Sequence, residues 1–249
     1  MPIIAWVVVF SLVGSLGVVL GAGLLLLSAE ERRRHILPSL VSYAVGTLLG
    51  AAFLGMLPQA LEGGQHRAIL STTLFGIVLI FVLEKWVLWR HCHQAECDVH
   101  SAAGPLILAG DAFHNFVDGF AIAAAFLASI PLGISASLAV IAHEIPQELG
   151  DFAILLESGY RRRAALVYNL LSSAMTLPGA LIAYFALSAL TRIIPYVLAI
   201  SAASFIYIAT ADLIPGLHRE IHPHSGFRQM ALLLAGIVTI LLMQMAGTD

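Results

Sequence analysis

Charge is what this sequence has least of. Only 11% of its 249 residues are Asp, Glu, Lys or Arg, while 59% are hydrophobic and the mean hydropathy is +0.93. A soluble domain carries about 25% charged residues, so a chain this poor in charge turns most of its surface to lipid. Cysteine is nearly absent. Cys92 and Cys97 are the only two and share one polar loop, which excludes a disulfide framework. The N-terminus has no basic stretch, and its first apolar run is long enough to span a bilayer, so no cleavable leader is expected. Period-2 alternation is missing from the apolar runs, which excludes barrel strands and leaves helices. The formal net charge of −3 says little about partners, because the few charges are unevenly placed; nucleic acid is not an expected one.

What is present is a series of apolar runs of about 20 residues, the length a bilayer core requires. Eight spans are expected, at about 3–27, 39–61, 69–90, 104–127, 132–157, 164–189, 195–216 and 229–247, forming one transmembrane domain over 1–249. Ser129, Ile130 and Pro131 leave almost no linker between spans four and five, so these two are antiparallel neighbours. The linkers after spans one, three, five and seven hold Arg32, Arg33, Arg34, Arg90, Arg161, Arg162, Arg163, Arg219 and Arg228, whereas those after two and six hold only Arg67 and Arg192. The positive-inside bias then puts both termini outside and the odd-numbered linkers in the cytoplasm. Span two ends "GMLPQALE" and span seven ends "DLIPGLHRE". The two run in opposite directions, which fits an inverted repeat of spans 1–3 and 6–8 around a central pair, a 3+2+3 plan.

Most of the membrane-depth polarity is concentrated in that central pair. "HEIPQELGDF" carries His143, Glu144, Gln147, Glu148 and Asp151; "GDAFHNFVDG" carries Asp111, His114, Asn115 and Asp118. At about 100° per residue each set falls on one side of its helix, so the two stripes are expected to face one another. Ionisable groups at this depth are costly, about 2.5–3.5 kcal/mol each on insertion scales. His114 with Asp118, and His143 with Gln147, are i,i+4 pairs that point the same way. Imidazole with oxygen ligands suits zinc, iron, nickel or copper, and a divalent cation would neutralise the carboxylates. Asp111, Glu148 and Asp151 step from the midplane toward the cytoplasm and are expected to form an exit path or an accessory metal site.

Two other His-rich stretches remain. "RHCHQAECDVH" within the 91–103 loop could bind a transition metal transiently or serve as a polar linker, and the same choice holds for "HREIHPH" after span seven. Superficially, "HEIPQ" looks like the helix of a zinc metalloprotease with Glu144 as base, but Gln147 replaces the second histidine and Pro146 interrupts it. A membrane-embedded zinc hydrolase and a passive metal channel are the alternative functions.

"HNFVDG" followed by "HEIPQELGDF" resembles the ZIP (Zrt/Irt-like) family of divalent metal transporters, in the branch whose fifth helix reads His-Glu-x-Pro-His-Glu-x-Gly-Asp-Phe. "GTLLGAAFLGMLPQALE", "NLLSSAMTLPGALI" and "FIYIATADLIP" extend the resemblance over nearly the whole chain. It implies eight helices, a transporter rather than an enzyme, and movement of zinc, sometimes iron, manganese or cadmium, into the cytoplasm. Carried over by motif, the metal ligands are His114, Asn115, Asp118, His143, Glu144 and Gln147. Gln147 stands where the branch usually has histidine, and no acidic residue lies near Pro178, so the set His114, Asp118, His143 and Glu144 forms the best-defined site. The expected location is the plasma membrane, or the inner membrane of a bacterium, with lipid and metal ions as partners and a homodimer as a possible assembly.

Overall fold

The computed structural model describes residues 1–26, 30–91, 99–218 and 225–246. Among these residues the chain is made of helices joined by short turns, with no strand. In order the α-helices are α1 (Ile3–Leu12), α2 (Val18–Leu26), α3 (Glu30–Gly50), α4 (Leu57–Gly63), α5 (His66–His91), α6 (Val99–Ala128), α7 (Ile130–Glu157), α8 (Arg162–Ser173), α9 (Thr176–Ala189), α10 (Ile194–Tyr207), α11 (Ile214–His218) and α12 (Ser225–Met245). The His/Cys run at 92–98 and the stretch 219–224 lie outside the described residues, and with them the expectations for those loops.

Among the described residues, six segments are long and apolar enough to cross a membrane: Ile3–Gly23, Ile36–Gly63, His66–Leu83, Arg162–Ala189, Thr191–His218 and Gly226–Met245. α6 and α7, at 30 and 28 residues, are long enough to cross but are not among these six. The polar stripes that mark them in the sequence also lower their hydropathy.

Several spans are interrupted in ways the uninterrupted apolar runs do not announce. Wide π-helical turns occupy Val13–Gly17, Ala51–Met56 and Ile208–Leu213. The last two are related. Each is six residues long, and each ends two residues before a proline, Pro58 in one case and Pro215 in the other. A proline ring clashes with the carbonyl four residues back, and a wider turn makes room for it. The echo between "GMLPQALE" and "DLIPGLHRE" therefore has a backbone counterpart. The sixth expected span is divided in two by a turn at Ala174–Met175.

The α6–α7 connection is as tight as its sequence suggests. α6 ends at Ala128, and the Ser129 hydroxyl caps α7 by accepting from the Leu132 backbone N–H at 3.3 Å, with Pro131 inside the first turn. At its far end α7 stops at Gly159 (φ 86°), where Gly159 N–H bonds to Leu156 O and Tyr160 N–H to Leu155 O, both at 3.0 Å. That is a Schellman closure, and its left-handed residue favours glycine. Arg161, Arg162 and Arg163 follow directly.

Two helix pairs come into backbone contact through glycine. A Cβ on Gly119 of α6 would lie 2.1 Å from the Thr176 carbonyl oxygen of α9, and one on Gly179 would lie 2.1 Å from that of Phe116. Gly46 of α3 and Gly236 of α12 make the corresponding contact between those helices. Small residues of this kind let helices approach where lipid supplies no hydrophobic drive. Several hydroxyls inside the bundle are satisfied by their own helices: Ser15, Ser42, Thr73 and Ser137 each donate to the carbonyl four residues back.

The main apolar core draws on α1, α3, α6, α7, α9 and α10. Around the Ser129 end of α7 it includes Phe126, Leu132, Ala136, Ala139 and Val140, all fully or almost fully buried. Trp6 of α1 stacks on Phe126 and Phe10 packs against it tilted by 48°, with ring centroids 6.3 and 5.4 Å away. This packing closes the bundle on one side of His143.

Candidate metal centre

α6 and α7 bring four of the six expected ligands together. His114 and Asp118 sit one turn apart on α6, and His143 and Glu144 are adjacent on α7. One ligand atom from each lies within 4.8 Å of all the others. His114 Nε2 and His143 Nε2 are 3.1 Å apart. Asp118 Oδ2 is 3.2 Å from His143 Nε2 and 3.7 Å from His114 Nε2. Glu144 Oε1 is 3.3 Å from His114 Nε2 and 3.5 Å from His143 Nε2. Zinc holds His and carboxylate ligands at roughly 2.0–2.2 Å in tetrahedral geometry, for which ligand atoms stand roughly 3.3–3.5 Å from one another. The measured separations cluster about that value.

The hydrogen bonding around the four atoms also favours a cation. His143 Nδ1 lies 2.9 Å from the Ala139 carbonyl. A carbonyl only accepts, so Nδ1 carries the proton and donates, leaving the Nε2 lone pair bare toward the cluster. Asp118 Oδ2 and both Glu144 oxygens are buried and have no hydrogen-bond partner. Buried oxygens without partners are rare because each forfeits its solvation. Three of them converging on two imidazoles is an arrangement that a divalent ion completes.

Asn115 and Gln147 turn elsewhere. Asn115 Nδ2 donates to Asp111 Oδ1 at 3.1 Å and to the Asp111 carbonyl at 3.2 Å, and its Oδ1 accepts from the Thr176 hydroxyl at 3.0 Å. Gln147 Nε2 donates to the same Asp111 oxygen at 3.2 Å.

Below the cluster, Asp111, Glu144 and Glu148 form a second group within the same 4.8 Å limit, so Glu144 belongs to both. Glu148 Oε1 accepts from the Ser173 hydroxyl, and Asn169 Nδ2 donates to the Glu148 backbone carbonyl at 3.0 Å. Asp111 Oδ2 and Glu148 Oε2 have no partner. Asp151, only partly buried, joins neither group. It lines a cavity of about 690 Å³ together with Asp111, His114 and Gln147, and with Tyr207 and Asp212 from the seventh expected span. The cavity's other walls include Pro38 and Val41 of α3, Ile80 of α5 and Gly216 and Leu217 of α11. The cluster is thus packed on the Phe126 side, and His114 borders the cavity on the other.

Sequence reasoning missed Asn169, Ser173, Thr176, Tyr207 and Asp212. Serine and threonine are common in membrane helices and gave no signal. Asp212 stands in the "DLIP" echo, and its place in the seventh span was the available clue.

A bundle of apolar helices enclosing a histidine–carboxylate cluster at mid-helix is the build of a membrane metal transporter. Residues 90–244 match the family described as ZIP Zinc transporter. The chain is 34% identical over 232 residues to the zinc transporter ZIP13 of Pongo abelii, an alignment covering 87% of this chain and 69% of that protein. It is 30% identical to the zinc transporter ZIP13 homolog of Drosophila melanogaster, covering 95% of this chain and 89% of the relative. Against zinc transporter ZIP10 of Mus musculus the identity is 45% over 124 residues, but this spans only 15% of that longer protein. The chain belongs to the ZIP zinc transporter family, and so to transporters of divalent metal rather than to enzymes. The hydrolase alternative is not favoured.

Proposed function

We propose that this protein carries zinc into the cytoplasm across the plasma membrane, or across the inner membrane of a bacterium, and that His114, Asp118, His143 and Glu144 hold the ion in transit. The observation that carries the site is the convergence of two imidazole nitrogens with carboxylate oxygens that have no other partner. Zinc as cargo is supported by what the relatives are called. Eight spans arranged 3+2+3, with both termini outside, accommodate α6 and α7 as the central pair. The paired π turns before Pro58 and Pro215 support the inverted repeat. Asp111, Glu148 and Asp151 then lie along the exit, and the cavity that they border is the cytoplasmic mouth.

Purified protein reconstituted in liposomes should move zinc to a trapped fluorescent indicator above an empty-vesicle control. His143→Ala should abolish that flux while leaving a folded, monodisperse protein. No flux from the native protein, or native flux from the variant, refutes the reading.

A further inference from the structure

The two halves of α7 have different surroundings. In the second half, Pro146, Gln147 and Asp151 border the open cavity. In the first half the helix is sealed. Ser135 is fully buried there, and its hydroxyl is used twice: it donates to the Pro131 carbonyl at 2.8 Å and accepts from Gln244 Nε2 of α12 at 3.0 Å. His143 stands between the two regions, about 12 Å beyond Ser135 at roughly 1.5 Å per residue.

Gly55, in the wide turn Ala51–Met56, makes room for the amide. A Cβ there would lie 3.0 Å from Gln244 Nε2 and 2.7 Å from Leu132 Cδ1. Three elements, α7, α12 and that turn, therefore meet at one hydrogen bond. What surrounds it is apolar. α7 packs on α3 and on the turn, and Leu48, Ala52, Met56, Leu132, Ala136 and Val140 of these elements belong to one buried core. Apolar contact is non-directional and does not by itself fix how two helices sit along one another. A hydrogen bond is directional and does. Gln147 and Glu148 of α7 bond instead to α6 and α8. α12 is in backbone contact with α3 through Gly46 and Gly236, so Gln244 ties α7 to a separate pair of helices.

An ion that leaves by the cavity has to reach His143 from the sealed side, and α7 has to part from that wall to admit it. Resting on the transport reading above, we propose that Gln244 and Ser135 form a latch, which holds the sealed end of α7 shut while the cavity is open and breaks each time the metal centre is exposed to the opposite side. Gln244 is then a gating residue that touches no metal and sets how often the entry opens.

A single added thiol reads the latch in the full chain, purified in detergent without zinc. In a Cys92→Ser, Cys97→Ser parent, Ala136→Cys places that thiol on the sealed stretch of α7, at a position with no exposure. It reacts with a membrane-impermeant maleimide only while that end is open, so the labelling rate follows the population of the open state. Gln244→Met and Ser135→Ala should each label about threefold faster than the parent, the shift that loss of one interhelical hydrogen bond gives in a membrane bundle. Both remove the same bond, so the double variant should label no faster than either single one. Gln244→Asn keeps the amide but is one methylene too short to reach Ser135, and should label like Gln244→Met. As a control, Ala183→Cys in α9, equally buried, should label at the parent rate in every variant. The proposal is overturned if the single variants label at the parent rate, or if their effects multiply in the double variant. It is also overturned if Ala183→Cys speeds up in step with Ala136→Cys, which would mean general loosening. Gln244→Met and Ser135→Ala lie on different helices, so one still decides the matter if the other fails to fold. The labelling uses neither zinc nor flux and is separate from the transport reading, which fails if native protein moves no zinc.

Discussion

Gly119→Ala tests how closely the metal cluster depends on the α6–α9 crossing. The added Cβ would lie 2.1 Å from the Thr176 carbonyl oxygen and 2.6 Å from the Ala180 nitrogen. Ordinary contact begins at 3.4 Å, and both obstacles are backbone, so no side chain can swing aside. The helices must part by about 1 Å. Overpacking of this kind costs about 1–3 kcal/mol. The Thr176 hydroxyl bond to Asn115, now 3.0 Å, would stretch beyond hydrogen-bonding range, adding about 1 kcal/mol. The sum, about 2–4 kcal/mol, should lower the Tm in detergent by roughly 5–15 °C for a chain of this length. His114 rides on the same helix, so zinc uptake in liposomes should fall by at least about tenfold, as misplacement of a reacting group by 1 Å does elsewhere. Gly150→Ala is the control. It also lies in a helix but meets nothing within 4 Å, and should raise the Tm slightly, since alanine is the better helix former. A Gly119→Ala protein that melts and transports like the native one would refute the link between this crossing and the site.

Zinc affinity should weaken as pH falls from about 7.5 to 5.5, because metal ligands must be deprotonated and protons compete for the Nε2 lone pairs of His114 and His143; chelator competition at each pH measures it, and a flat profile argues against imidazole ligands. Ser173→Ala should lower the Tm and slow uptake while sparing zinc affinity, since it removes the hydroxyl that bonds Glu148 Oε1 and touches none of the four clustered residues. Ser129→Ala should reduce stability by about 1 kcal/mol through loss of the α7 cap, read as a Tm shift, with half-saturation for zinc unchanged.

The helical period made the stripes on α6 and α7 legible, because residues three and four apart must share a face. It put His114 and Asp118 on one stripe and His143 and Glu144 on the other, and the family resemblance singled out those four. It could not assign partners within a face. Asn115 and Gln147 lie on the right sides, yet what their amides meet is set by rotamers and by α9, through Thr176, and not by spacing. Helix length and position were legible from hydropathy over most of the chain. The π turns were not, although Pro58 and Pro215 mark where two of them end, because proline signals a lost hydrogen bond without saying how the backbone absorbs it.

Glu144 joins the two groups of ligands and so sets the order of events on the transport reading. The upper group offers two nitrogens and two carboxylates, a set that suits zinc. The lower group, Asp111, Glu144 and Glu148, offers oxygen alone. Zinc should therefore dwell longest beside the histidines and be held less tightly by the carboxylates below. A site that conducts must release as well as bind, and a shared carboxylate lets the ion change partners without ever being bare. Each step toward the cavity trades a ligand that suits zinc for one that suits it less, until Asp111 and Asp151 present it to water. Direction across the membrane need not come from this gradient of affinity, because the same residues serve in either sense. What the ligand order supplies is rate, by keeping the last site before release the weakest.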